Sequence, residues 1–198
     1  GLNAVKERQH SREKGITADL ASSFTVIETV VKLRPERVVH LLPPIVKRYI
    51  GASDAAYEGN VGSGGFLIAM LDDHGGYQGI GRVVKIEPDL YRMWEPCVTY
   101  IAQLELLMVL VAILKLPDEM RGKRGIWFID NTAALMALIR GRSNSADLDK
   151  LAGSIHGALF AMQIWMYFEW VESKSNWADG ISREALEDEW YQRHGFVS

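Results

Sequence analysis

One stretch, Tyr49 to Phe66 (YIGASDAAYEGNVGSGGF), limits the folds open to this chain more than any other. Tyr49 to Ala55 has the length and alternation of a strand, yet Asp54 stands where an apolar side chain is expected. A carboxylate in such a place is costly unless a cation or hydrogen-bond donors meet it. Gly59-Asn60, Gly62 and Gly64-Gly65 then read as a tight, glycine-rich reversal, after which Phe66 to Leu71 pairs back as a second strand. A surface Asp at the end of a hairpin fits the same residues, so the other acids of the chain have to decide.

Composition narrows the classes. With 198 residues, 48% of them hydrophobic, the chain can bury one substantial core with an appended segment. The longest uncharged apolar run, Leu106 to Leu114, is too short to span a bilayer, so no membrane partner is expected. A single cysteine, Cys97, excludes an internal disulfide framework and fits a reducing, intracellular compartment, without separating cytoplasm from nucleus. A net charge of -3 excludes a binder that relies on a large basic field but leaves room for a local basic groove. The start at Gly-Leu-Asn, without methionine, is what a fragment, a tagged chain or a piece of a polyprotein would show.

Along the chain, residues 1 to 15 are polar and mixed in charge and are expected to be loosely ordered. Ala18 to Leu33 places Leu20, Phe24, Ile27, Val30 and Val31 at helical spacing. Arg37 to Ile45 carries the pair Pro43-Pro44, which suits neither a helix interior nor a central strand and marks a linker. Two domains are therefore expected, an N-terminal helical extension with its linker at 1–45 and the main domain at 46–198. In the main domain, Tyr77 to Ile86 supplies a third strand of an antiparallel meander. Tyr100 to Leu116 forms a helix that is apolar nearly all round, and Pro117 to Arg124 is a polar connection. Gly125 to Asp130 is a strand followed at once by a helix at Thr132 to Arg140, the beginning of a parallel crossover. A helix from Asp147 to about Met162, a strand at Ile164 to Glu172 and a final helix towards Trp190 complete the order. It predicts an α/β fold with a mixed five-stranded sheet, three antiparallel strands then two parallel, flanked by helices. The first strand is expected at the centre with the fourth beside it.

Four acids stand out in that frame. Glu105 lies inside the apolar helix among Leu104, Leu106, Leu107 and Met108, where an unpaired carboxylate costs several kcal/mol or takes up a proton. Asp130 fits two uses: a helix N-cap before Thr132, or a ligand site at the C-terminal end of a strand. Asp179 opens the last helical segment and also fits a cap. Asp54 and Asp130 fall on adjacent central strands, with Glu105 and Asp179 within reach of the same rim. Carboxylates gathered there repel, and hard oxygen ligands of this kind suit Mg²⁺ or Mn²⁺.

These residues resemble a known family. Asp54-Ala-Ala-Tyr-Glu-Gly59-Asn60 with Gly62, Gly64-Gly65 and Phe66 resembles the first strand and turn of ribonuclease H; Gln103-Leu-Glu105 resembles its catalytic-glutamate helix and Phe128-Ile-Asp130-Asn131 its second aspartate strand. Trp170 to Arg183 (WVESKSNWADGISR) is similar to the segment that closes ribonuclease H domains in retroelement polyproteins, where a reverse transcriptase lies upstream. The resemblance implies an RNase H-like fold and an endonuclease that cuts the RNA strand of RNA–DNA hybrids, leaving 5′-phosphate products. It implies two Mg²⁺ ions, replaceable by Mn²⁺, on Asp54, Glu105, Asp130 and Asp179, and hybrid contacts from Gly59, Asn60, Asn131, Lys174 and Asn176. It also implies that residues 1–45 end an upstream polymerase region.

The chain departs from the family in two places: members often carry a histidine just before the last aspartate, where Glu172 to Ala178 contains none, and some members grip the hybrid with a basic protrusion that has no obvious counterpart here. A non-catalytic tethering or nucleic-acid-binding module of the same fold is the competing expectation. It gives no reason to keep four mutually repelling acids. An integrase-like core would place its glutamate after two aspartates, whereas Glu105 precedes Asp130.

Overall fold

A computed structural model describes residues 18–33, 47–59, 61–72, 74–184 and 187–197. The chain divides into two compact units, Gly1–Ile45 and Val46–Ser198. In the first, helix α1 (Ala18–Leu33) forms where the apolar spacing predicts it. Its Thr25 and Thr29 hydroxyls return to the carbonyls of Ala21 and Thr25, and Glu28 pairs with Lys32 one turn on. Phe24, Ile27, Val30 and Val31 are exposed on it. The expected loose segment at 1–15 and the linker at 37–45 lie outside the described residues.

The second unit is built on a five-stranded sheet of order β3-β2-β1-β4-β5, with β1 Arg48–Glu58, β2 Val61–Leu71, β3 Tyr77–Lys85, β4 Arg124–Ile129 and β5 Trp165–Trp170. β1, β2 and β3 pair antiparallel, and β4 and β5 continue the sheet in parallel beyond β1. This is the expected architecture, with the Asp54 strand at its centre. The helices are α2 (Ile101–Lys115), the short α3 (Pro117–Met120), α4 (Thr132–Arg140), α5 (Ala146–Ala161), α6 (Asp179–Glu184) and α7 (Glu189–Arg193). Single 3₁₀ segments at Pro88–Met93 and Ser173–Ser175 occupy stretches that had no predicted structure.

Alternating residues of β1 face two different layers. Tyr49 joins Trp127, Phe66, Ile113, Leu138 and Ile155 in the larger core, under α2, α4 and α5. On the opposite face Ala52 packs with Leu67, Ala178, Ile181 and Tyr191, so the thin second layer consists of α6 and α7. Val197, beyond α7, forms a parallel bridge to Ile80 and covers the outer edge of β3.

The glycines after Asp54 differ from the sequence expectation. Only the turn at Gly59 needs a left-handed backbone, with φ at +56°. Gly62, Gly64 and Gly65 are not part of a reversal; they lie inside β2, in register with Tyr57, Ala55 and Asp54. A methyl group on Gly64 would sit 2.4 Å from Met108 Sδ, and one on Gly65 would sit 2.4 Å from Ile181 Cγ2. The glycines therefore bring α2 and α6 down onto the two faces of the sheet beside Asp54.

Candidate functional site

β1 continues past the point where its pairing with β4 ends, at Ala52↔Phe128. That parting of strands opens the rim of the sheet, and Asp54 lies just beyond it. Glu105 descends from α2 on one face, while α6 approaches from the other. Asp130 follows the last residue of β4 directly. Each acid thus comes from a different element, and one ligand oxygen from each of Asp54, Glu105 and Asp130 lies within 4.8 Å of the others.

The neighbouring residue resolves the two uses open to Asp130. Asn131, not Asp130, caps α4: its Oδ1 accepts from Ala134 N at 3.0 Å. Trp170 Nε1 donates to the Asp130 carbonyl at 3.2 Å, so the backbone there is fixed while the carboxylate turns towards the other acids. The sequence Asp130-Asn131 divides the labour between capping and clustering.

Burial and like charge set the protonation of the site. Glu105 is 1% exposed; its Oε1 accepts from Ala55 N at 3.2 Å, and its Oε2 has no hydrogen-bond partner among the described residues. Loss of water, reinforced by the charges of Asp54 and Asp130, pushes the Glu105 carboxyl well above the usual carboxylate range. Asp54, 5% exposed, is also raised, first by burial and then by Asp130 and Asp179, while a hydrogen bond from Ser182 pulls the other way. Two buried carboxyls biased towards their protonated forms beside a third acid make a site that holds either a proton or a cation.

The residues present fit divalent cations. The donors are hard carboxylate oxygens, and Glu105 Oε2 is a buried acceptor that meets no donor group among the described residues, its polar neighbour being the equally acidic Asp54. An open cleft of about 370 Å³ above the cluster is lined by Asp54, Glu105, Asp130, Asn131, Ser173 and Arg183 among others.

The other predicted residues are dispersed. Asp179 is not a member of the close trio; its Oδ1 accepts from Arg183 Nε at 3.0 Å, although its charge is felt at Asp54. Gly59 is exposed at the β1–β2 turn, Asn60 lies outside the described residues, and Lys174 is exposed in the 3₁₀ turn. Asn176, expected to touch substrate, is buried instead. Its Nδ2 donates to the Ser53 carbonyl and its Oδ1 accepts from Ala178 N, so both ends of the amide tie the last segment to β1. Sequence reasoning passed over Ser182 and Arg183 as site residues. Their only signal was position, three and four residues after Asp179, which returns both to its side of a helix.

No protein-family model matches the chain, and no curated protein matches it in sequence. Among solved structures, RNase H1 of the halophilic archaeon Halobacterium salinarum is similar over 71% of this chain and 98% of its own, with TM-score 0.52 and 19% identity. LC11-RNase H1, isolated from compost, matches over 71% of this chain and 96% of its own, with TM-score 0.48 and 14% identity. The N-terminal RNase H domain of a Mycobacterium tuberculosis protein matches over 74% and 98%, with TM-score 0.42 and 17% identity. The first likeness, together with the observed strand order, defines the class: the 46–198 unit has an RNase H-like fold.

Proposed function

We propose that this chain is a metal-dependent endonuclease that hydrolyses the RNA strand of RNA–DNA hybrids. The observation that carries the reading is the buried Glu105, one oxygen of which meets no donor among the described residues, converging with Asp54 and Asp130 within 4.8 Å at the open rim of an RNase H-like sheet. A scaffold gains nothing from such a cluster, because unneutralised buried charges cost several kcal/mol.

Asp54, Glu105 and Asp130 are the residues that would hold Mg²⁺, with Mn²⁺ able to replace it, and Asp179 is the fourth ligand once its carboxylate leaves Arg183. When bound, a pair of such ions supplies an activated water and a charge that stabilises the leaving oxygen in an in-line displacement at phosphorus. The chain's own residues do the remainder. Ala55 N and Ser182 fix the orientations of Glu105 and Asp54, Trp170 and Asn131 fix the backbone at Asp130, and the cleft leaves the cluster open to a phosphodiester. Gly59, exposed at its turn, offers backbone to a hybrid's minor groove, where a 2′-hydroxyl distinguishes RNA from DNA. Asn131 at the cleft and the exposed Lys174, next to the cleft residue Ser173, supply polar and cationic contacts to the backbone. The segment from Trp170 to Arg183, similar to the closing segment of retroelement ribonucleases H, supports a place in a reverse transcriptase polyprotein, with residues 1–45 ending the polymerase region.

The test is incubation of end-labelled RNA–DNA hybrid, duplex DNA and duplex RNA with the chain, with and without Mg²⁺. Cleavage of RNA in the hybrid, absent without metal and abolished in a folded Asp54→Asn variant, is the expected result. Hybrid binding without cleavage would replace the reading with a tethering module.

A further inference from the structure

We propose that Ser182 is a positioning residue: it holds one oxygen of Asp54 so that the carboxylate presents the other to the cation. The inference rests on the metal-dependent reading above. Ser182 is 3% exposed and sits on α6, the layer opposite to α2. Its Oγ is hydrogen-bonded to Asp54 Oδ2, a contact between residues 128 apart in sequence. Its Oγ also lies 2.8 Å from the Asp179 carbonyl, an ordinary return bond within a helix turn. A hydroxyl has one proton to give, and Asp54 in the ionised form that a cation requires is a stronger acceptor than a carbonyl, so that proton goes across to β1.

Ser182 is itself held. Its carbonyl accepts from Ser63 Oγ at 3.0 Å, and its backbone N–H donates to the Ala178 carbonyl at 3.0 Å. Ala178 N in turn is fixed by Asn176, whose amide is anchored on Ser53, the residue before Asp54. The hydroxyl is therefore delivered to Asp54 by a segment clamped at both sides of it. Glu105 shows the same arrangement by other means: Ala55 N takes Oε1 and leaves Oε2 unpartnered among the described residues. In both acids one oxygen is tied by protein, which prevents the carboxylate from turning and fixes the direction of the free lone pairs.

Outer hydrogen bonds of this kind change metal affinity by about 10- to 100-fold when removed. The experiment is Mn²⁺ binding to the full chain, without nucleic acid, followed by electron paramagnetic resonance of free Mn²⁺ and by calorimetry. The proteins are wild type, Ser182→Ala, Ser182→Thr and Asp54→Asn. Ser182→Ala is expected to bind Mn²⁺ about tenfold more weakly, with a metal-free melting temperature near wild type, and Ser182→Thr to keep most of the affinity. In cleavage assays the Mg²⁺ concentration needed for half-maximal rate should rise for Ser182→Ala. If wild type binds, Asp54→Asn does not and Ser182→Ala matches wild type, Ser182 has no positioning role and the metal reading stands. Equal weakening in Ala and Thr, with lowered metal-free melting in both, would assign Ser182 to packing and overturn the proposal. If neither wild type nor Asp54→Asn binds Mn²⁺, the metal reading falls, and the proposal with it.

Discussion

Replacing Glu105 by Gln should stabilise the metal-free domain at neutral pH while destroying its response to metal. Ligand oxygens of Glu105, Asp54 and Asp130 lie within 4.8 Å of each other. At that distance two unit charges repel by about 3.5 kcal/mol at an effective dielectric near 20, so a fully ionised Glu105 would face about 7 kcal/mol from its two neighbours. Burial first, and this repulsion after it, shift Glu105 and Asp54 upward, and a proton held in the cluster relieves part of the cost. Gln is neutral without taking up a proton, keeps the shape and offers its Nε2–H groups to the remaining carboxylates. A net gain of about 2 kcal/mol is expected, or about 4–8 °C in melting temperature for a domain of this size. The direction with pH follows from linkage. With raised folded-state values, the native protein binds more protons than the unfolded chain. The stability from those protons is complete below the ordinary Glu value of 4.5 and is lost as pH rises through the shifted one. Melting measured by calorimetry in chelator, from acid to mildly alkaline pH, should therefore show the Gln variant gaining on wild type as pH increases. Mg²⁺ should then raise the wild-type melting temperature and leave the variant unchanged. A Gln variant that melts below wild type throughout, or a difference that does not change with pH, would refute the claim that these carboxyls crowd one another.

Two further substitutions test the supports of the site. Gly65→Ala places a methyl 2.4 Å from Ile181 Cγ2 and 3.3 Å from the Arg82 carbonyl, so it should lift α6 from the sheet. It is expected to cost about 1–3 kcal/mol in denaturant unfolding and to weaken Mn²⁺ binding through Ser182, whereas the same change at exposed Gly153, with nothing within 4 Å, should be neutral or stabilising. Asn176→Ala leaves the Ser53 carbonyl and Ala178 N without their side-chain partner. A loss of about 1–3 kcal/mol follows from the unmet polar groups, measurable by urea unfolding, and an unchanged midpoint would mean that water replaces the amide.

Much of this architecture can be read from residue order, because strands and helices differ in apolar period and because βαβ connections leave few topologies. Asp54 in a strand and Glu105 in an apolar helix were visible as violations of those same periods. Other features required coordinates. Glycine has no side chain to reveal its neighbours, so Gly62, Gly64 and Gly65 looked like a turn when they are slots for Tyr91, Met108 and Ile181. Asp130 and Asn131 are both good caps, and nothing local decides which one takes α4. Asn176 and Ser182 act on Ser53 and Asp54 across more than 120 positions, a distance over which a single sequence carries no pairing signal.

The most direct test is a crystal structure of the domain grown with Mn²⁺, with anomalous scattering used to locate the ions. Manganese between Asp54, Glu105 and Asp130, with Glu105 Oε2 among its ligands, is the predicted result. Ordered carboxylates at saturating Mn²⁺ with no anomalous peak between them would contradict the account.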